Sequence, residues 1–202
     1  MNQELLDGLA SDELVQLGLN AGERGDAGAA IAYLKAATAR GDAGAMPHFL
    51  LSAEYAQAGL IARAVDEMEA TLALDPTFAL ARLQLGLLLL TNAEAGRAEQ
   101  VLGALDELPE GDALRDFGAG LRHLMRDEFA QARESLLRGM QRNTYNPPLN
   151  ANMQLIIERL PRLDEPASAP LAPADEAPSA DGADDSGWRH MLISTYTGHG
   201  PH

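Results

Sequence analysis

Four alanines, Ala30, Ala64, Ala98 and Ala132, recur at intervals of 34 residues. Twelve residues before each stands a small residue, Gly18, Ser52, Gly86 or Gly120, and four after each a bulky apolar one, Leu34, Met68, Leu102 or Leu136. Small residues at fixed points let two helices approach closely, and a large side chain one turn beyond fills the space beside them. A fixed period in this range marks a stacked repeat, in which each unit buries its apolar face only against its neighbours. An irregular helical bundle gives glycine and alanine no reason to fall in register. The period therefore predicts an all-α repeat protein, a binding scaffold rather than a catalyst.

Composition points the same way. The chain has 202 residues, 46% of them hydrophobic but only 4% aromatic, and is rich in Ala and Leu, which favour helix over strand. With no cysteine it has neither a disulfide framework nor a thiolate metal site. The start, Met1-Asn2-Gln3-Glu4, lacks the basic residues and apolar stretch of a signal peptide. The apolar run Leu87 to Leu90 is far short of the ~20 residues that span a bilayer. A cytoplasmic location is expected. One Lys against fourteen Arg suggests a GC-rich bacterial genome. The net charge of −15 disfavours nucleic acid and anionic membrane as partners, since both need clustered Lys and Arg.

Along the chain, residues 1–10 form a short lead whose amphipathic part, Glu4 to Leu9, can stack on the first repeat. Ser11 and Asp12 offer side-chain oxygens to cap a first helix ending near Ala21, and Asp26 is placed to cap the next, about Ala27 to Arg40. The second pair is expected over Ala45–Gln57 and Ile61–Leu74, the third over Phe78–Thr91 and Ala95–Glu107, the fourth over Asp112–Met125 and Glu128–Arg142. Connections this short imply antiparallel neighbours. Residues 11–144 thus hold four repeats. Within residues 145–160, Pro147-Pro148 opens a helix with Leu149, Met153, Ile156, Ile157 and Leu160 on one stripe, which suits a cap on the last repeat.

Residues 161–187 hold five prolines, seven acidic residues and seven alanines with no aromatic, the composition of a disordered linker. Residues 188–202 then begin Trp188-Arg189-His190-Met191-Leu192-Ile193-Ser194-Thr195-Tyr196, with the only Trp of the chain. Such a segment at the end of a tether reads as a short recognition element, with Trp188, Leu192, Ile193 and Tyr196 as its apolar contacts.

The repeats resemble those of the tetratricopeptide family, whose pattern is W-x2-L-G-x2-Y, then A-x3-F, then Pro after the second helix. The second unit carries Leu51-Ser52, Tyr55, Gly59, Ala64, Met68 and Asp75-Pro76; the first Leu17-Gly18, Gly25, Ala30 and Leu34; the third Leu85-Gly86, Ala98 and Leu102; the fourth Gly120, Ala132 and Leu136. No unit has the opening Trp, and only the second keeps the Tyr and the closing Pro. The resemblance implies a right-handed superhelical solenoid whose first helices line a concave groove. It assigns to that groove Val15 and Leu19, Phe49 and Ala53, Leu83, Leu87 and Leu90, and Phe117, Leu121 and Leu124. Nearly all are apolar, without the Lys, Arg and Asn with which relatives grip a terminal carboxylate. The helix from Phe78 to Thr91 is apolar almost all round and needs cover on every side. A ligand, a second copy of the chain or the chain's own C-terminal segment would supply it on the concave side, unless the groove side chains simply meet one another.

Catalytic readings find little support. His48, His123, His190, His199 and His202 show no metal-binding spacing, and His48 and His123 stand where the family has Trp and Tyr, as packing substitutes. Gly25-Asp26-Ala27-Gly28 is a helix-breaking turn without the Lys of a phosphate loop. No catalytic residue, metal or cofactor is expected. The expected function is a non-catalytic scaffold, adaptor or chaperone-like, that holds an apolar peptide or helix of a client protein and is regulated by its C-terminal segment. The alternatives are a homo-oligomeric structural module, self-associating through groove or tail, and an accessory subunit that positions an enzyme encoded elsewhere.

Overall fold

The structure is a computed structural model and describes Leu6 and residues 8–161. Four helix pairs follow one another: α1 (Ser11–Glu23) with α2 (Ala27–Arg40), α3 (Met46–Gln57) with α4 (Ile61–Leu74), α5 (Ala79–Thr91) with α6 (Ala95–Gly103), and α7 (Ala113–Met125) with α8 (Phe129–Arg142). A final helix, α9 (Pro147–Arg159), packs on α8, and the described residues contain no strand. Each helix lies against the next, so the architecture is an all-helical solenoid.

The turns inside the pairs show the repeat in the backbone itself. The amides of Asp26, Leu60, Glu94 and Glu128 donate to the carbonyls of Ala21, Tyr55, Leu89 and His123, at 2.8 to 3.0 Å. Four residues on, Ala30, Ala64, Ala98 and Ala132 donate back to Asp26, Leu60, Glu94 and Glu128 and so start the second helix. This is the six-to-one closure that ends a helix when the residue after it turns left-handed. That residue is Gly25, Gly59, Ala93 or Asp127, with φ of 79°, 71°, 59° and 57°. All four lie 34 apart, yet glycine occupies only two of them.

The small and large series meet as expected from their spacing. A Cβ at Gly18 would stand 2.7 Å from Leu34 Cγ, one at Gly120 2.7 Å from Leu136 Cγ, and one at Gly86 nearer still to Leu102. Ser52 replaces the glycine in the second pair and spends its hydroxyl on the Ala64 carbonyl, 2.7 Å away. The four alanines of the period are wholly buried, as are Leu34, Met68, Leu102 and Leu136 to within 1%.

Two local expectations differ from what is seen. Ser11 lies inside α1 rather than capping it: the Ala10 amide donates to Glu13 Oε2 at 2.8 Å, and the Ser11 hydroxyl bonds to the Asp42 carboxylate across the loop after α2. The sixth helix does not run α-helical to Glu107 but tightens into a 3-10 turn over Ala104–Glu107. The tighter winding sets Leu105, 1% exposed, against Gly118 of α7, where a Cβ would be 2.8 Å away. At the amino-terminal end Leu6 is buried and its carbonyl accepts from Arg40 at 2.9 Å.

Candidate concave binding face

First helices of neighbouring pairs touch directly, α1 with α3 and α5 with α7, and no comparable contact joins successive second helices. The first helices therefore run along the shorter, concave side of the stack. They are also the more deeply buried row. From Leu80 to Leu89 every residue of α5 except Arg82 is buried, an all-round burial that matches its nearly unbroken apolar sequence.

The residues assigned to the groove divide into two groups. Phe117, Leu121 and Leu83 are 0% exposed, and the Phe117 ring fills the space beside Gly139 of α8, where a Cβ would be 2.5 Å from it. Phe117 therefore packs inside its own pair. Phe49, 2% exposed, stacks at 4.8 Å on Phe78, the residue that precedes α5, and so ties the second pair to the third. Val15, Leu19, Ala53 and Leu87 are buried with small residual exposure, while Leu90 and Leu124 are partly exposed at the ends of α5 and α7. The helical period places Leu80, Gln84 and Leu87 on a common stripe of α5, turned away from Gly86 and its contact with Leu102.

Among the buried polar side chains of the first helices are two to which the sequence had given no role. Glu54 of α3 is 4% exposed and Gln84 of α5 is 2% exposed. The Gln84 Nε2 has no hydrogen-bond partner among the described residues. A buried amide left so costs about 1–3 kcal/mol, so the position is specific rather than incidental. The available signal was a lone amide in the middle of the apolar run from Phe78 to Thr91.

Charged pairs, by contrast, stitch one repeat to the next. Arg122 of α7 donates to Glu99 of α6 at 2.9 Å and to Asp106 at 2.5 Å, and Arg126 reaches the same Glu99 oxygen at 2.5 Å. Burial pushes the Glu99 carboxyl up, but the hydrogen bonds and charges of Arg122 and Arg126 outweigh it and hold the group below its ordinary value. Arg97 pairs with Glu94 and Glu69, joining the second and third pairs. Asp116 receives Arg142 at 2.5 Å and Arg138 at 3.4 Å inside the fourth pair.

The histidines that replace family aromatics do more than pack: His48 Nδ1 contacts Glu67 at 2.7 Å and His123 Nδ1 contacts Glu128 at 2.5 Å. Each joins the two helices of its pair. No group of three His, Cys, Asp or Glu suited to a metal ion occurs among the described residues, and none of their helices is long and apolar enough to cross a membrane. Trp188, Leu192, Ile193 and Tyr196, the linker before them, and His190, His199 and His202 lie outside the described residues.

No protein-family model matches the chain, and no curated protein matches it in sequence. Solved structures do. MamA from residue 41 to its end, from Desulfovibrio magneticus RS-1, aligns with a TM-score of 0.55 at 19% identity over 73% of this chain and 85% of its own. A second MamA crystal structure aligns at 0.56 and 19% identity, over 65% of this chain and 77% of that one. A double mutant described as MamA RS-1 ArsTM aligns at 0.55 and 16% identity, over 92% and 93%. At this identity the likeness concerns the fold: a helical-repeat solenoid like that of MamA, consistent with repeats of the tetratricopeptide type.

Proposed function

We propose that this chain is a tetratricopeptide-type scaffold, without catalytic activity of its own, that binds an apolar peptide or helix of a client protein on its concave face. The observation that carries this reading is the make-up of α5. Leu80 and Leu87 flank a buried amide at Gln84, and Leu90 reaches solvent at the end of the same helix. Apolar anchors around one orienting polar group are what a recognition groove requires. The ion pairs support it indirectly, because Arg122 and Arg126 with Glu99 join the third repeat to the fourth, Arg142 with Asp116 joins the helices of the fourth, and each charge is met by its partner.

Screening an array of short peptides against the full-length protein tests the reading. Apolar peptides are expected to bind, and Leu87→Glu and Leu90→Glu are expected to weaken them at least about tenfold, the effect of ~1.4 kcal/mol. Leu90 is already partly exposed, so that variant keeps its fold and the loss belongs to the contact. Binding indifferent to both substitutions would remove the concave face from the argument.

Self-association is the second reading, favoured by Leu137 and Leu155, 41% and 51% exposed on α8 and α9 at the last turn of the solenoid. Sedimentation of the wild type beside Leu155→Glu decides it: a monomer at all concentrations excludes the reading, and a dimer lost in the variant supports it.

A further inference from the structure

We propose that the outer face of α8 docks on the outer face of α4 in a second copy of this chain, a basic surface against an acidic one. The proposal rests on the self-association reading and names the two surfaces that meet.

The first observation is a departure from the period. Lys35, Glu69 and Gly103 stand 34 apart on the second helices, each followed by an alanine, Ala36, Ala70 or Ala104; α8 carries Leu137 and Arg138 instead. Leu137 is 41% exposed, with Arg133 one turn before it and Arg138 and Arg142 along its flank. Asp116, 11% exposed, accepts from Arg138 and Arg142 and fixes both side chains while leaving them 42% and 43% exposed. Arg133 makes no ion pair among the described residues. The result is an apolar anchor set among arginines.

The second is where the complement lies. Residues 1–112 hold 18 acidic residues against six basic, whereas residues 113–161 hold five against seven. The chain thus carries both signs in separate stretches. Within the acidic stretch α4 exposes Ala62, Asp66, Glu69 and Ala73 on one face, and Leu74 in its last turn is 57% exposed. The alanines let a facing helix approach, and the carboxylates meet the arginines of α8. Exposed ion pairs add little affinity, so Leu74 and Leu137 supply the strength of the contact and the charges its orientation. Pairing α8 with α8 would set arginine against arginine, which favours a heterologous contact over a two-fold one. A copy joined through α4 still offers its own α8, so assembly passes the dimer.

Sedimentation velocity of the full-length protein over about a hundredfold range of concentration tests the proposal. The mean mass is expected to rise past that of a dimer at ~0.1 M salt and to fall at ~1 M, where the screening length shrinks from about 10 Å to about 3 Å. Leu137→Gln and Leu74→Gln change exposed positions, so circular dichroism should still show the helical fold, and each should weaken association at least about tenfold. Mixed one to one, the two variants should form a dimer and stop there, because each keeps the surface the other has lost. Three results would overturn the proposal. Association indifferent to salt or to both substitutions lies elsewhere and removes this proposal alone, leaving self-association to be judged on Leu155→Glu. A dimer that never grows, lost in Leu137→Gln and not restored by mixing, makes the contact two-fold through α8. A monomer at every concentration removes the self-association reading as well and leaves α8 to an acidic partner of another kind.

Discussion

Within each pair the same backbone turn recurs, and the residue at its left-handed position is glycine twice, alanine once and aspartate once. An L-residue in this conformation costs roughly 1–2 kcal/mol, because its Cβ crowds the neighbouring carbonyl. Ala93→Gly is therefore expected to stabilise the protein, by up to about 1 kcal/mol once the added freedom of the unfolded chain is counted. Asp127→Gly is expected to do the same, and Gly59→Ala the reverse; urea unfolding midpoints check all three. Packing glycines behave differently. A Cβ at Gly86 would collide with Leu102, whereas one at Gly96 meets nothing within 4 Å. Gly86→Ala should thus cost about 1–3 kcal/mol of overpacking strain, and Gly96→Ala should gain up to about 1 kcal/mol of helix propensity. Equal effects at the two sites would contradict the small-to-large contact that defines the repeat. These pairs were legible in the sequence because their spacing is covalent information. The left-handed Ala93 was not, since alanine does not announce a positive φ, and Asp127, although of a type enriched there, sits in a turn that aspartate also joins with negative φ.

At the level of helices, the sequence located nearly every element because apolar period and turn residues agree: Ala27–Arg40 and Ile61–Leu74 appear with the bounds expected. What it missed depends on side chains meeting across elements. The Asn143, Asn146 and Asn150 cluster is one case. Asn143 Nδ2 donates to the Asn146 carbonyl and to Asn150 Oδ1, both at 2.8 Å, and Asn146 Oδ1 accepts from the Leu149 amide to cap α9. The α6–α7 clasp is another, with Glu99 between Arg122 and Arg126. Its pH dependence has a definite sign. The folded Glu99 carboxyl lies below its unfolded value, so the unfolded chain takes up the proton first and the clasp stabilises fully only above the ordinary glutamate range. That contribution is lost as the pH falls through the depressed folded value. Glu99→Gln should accordingly flatten the acid side of the stability–pH curve and leave a smaller difference between pH 7 and pH 4. A variant whose stability falls with acid as steeply as the wild type would deny the clasp any part in it.

The whole molecule is a linear stack, and a stack transmits instability differently from a single core. Each pair touches mainly the pair before and after it, so stability is close to a sum of repeat terms and nearest-neighbour interfaces. The last pair is completed by α9, which buries Leu149, Met153 and Ile157 to between 0 and 4% exposure. Met153→Asp puts an unpaired charge into that interface and should detach α9 from α8. The expected result is local: in hydrogen exchange, amides of α8 and α9 lose protection, while those of α1 to α4 keep theirs. A matching defect in the middle, Leu89→Asp in α5, where the wild-type side chain is 0% exposed, removes interfaces on both sides and should lower protection from α3 to α8 together. The contrast matters for the concave face. If the centre is the cooperative part, a ligand seated on α5 stabilises several repeats at once, and its binding is read far from where it sits. Uniform loss of protection in both variants would mean that the chain unfolds as one unit, and that α5 has no special leverage over the rest.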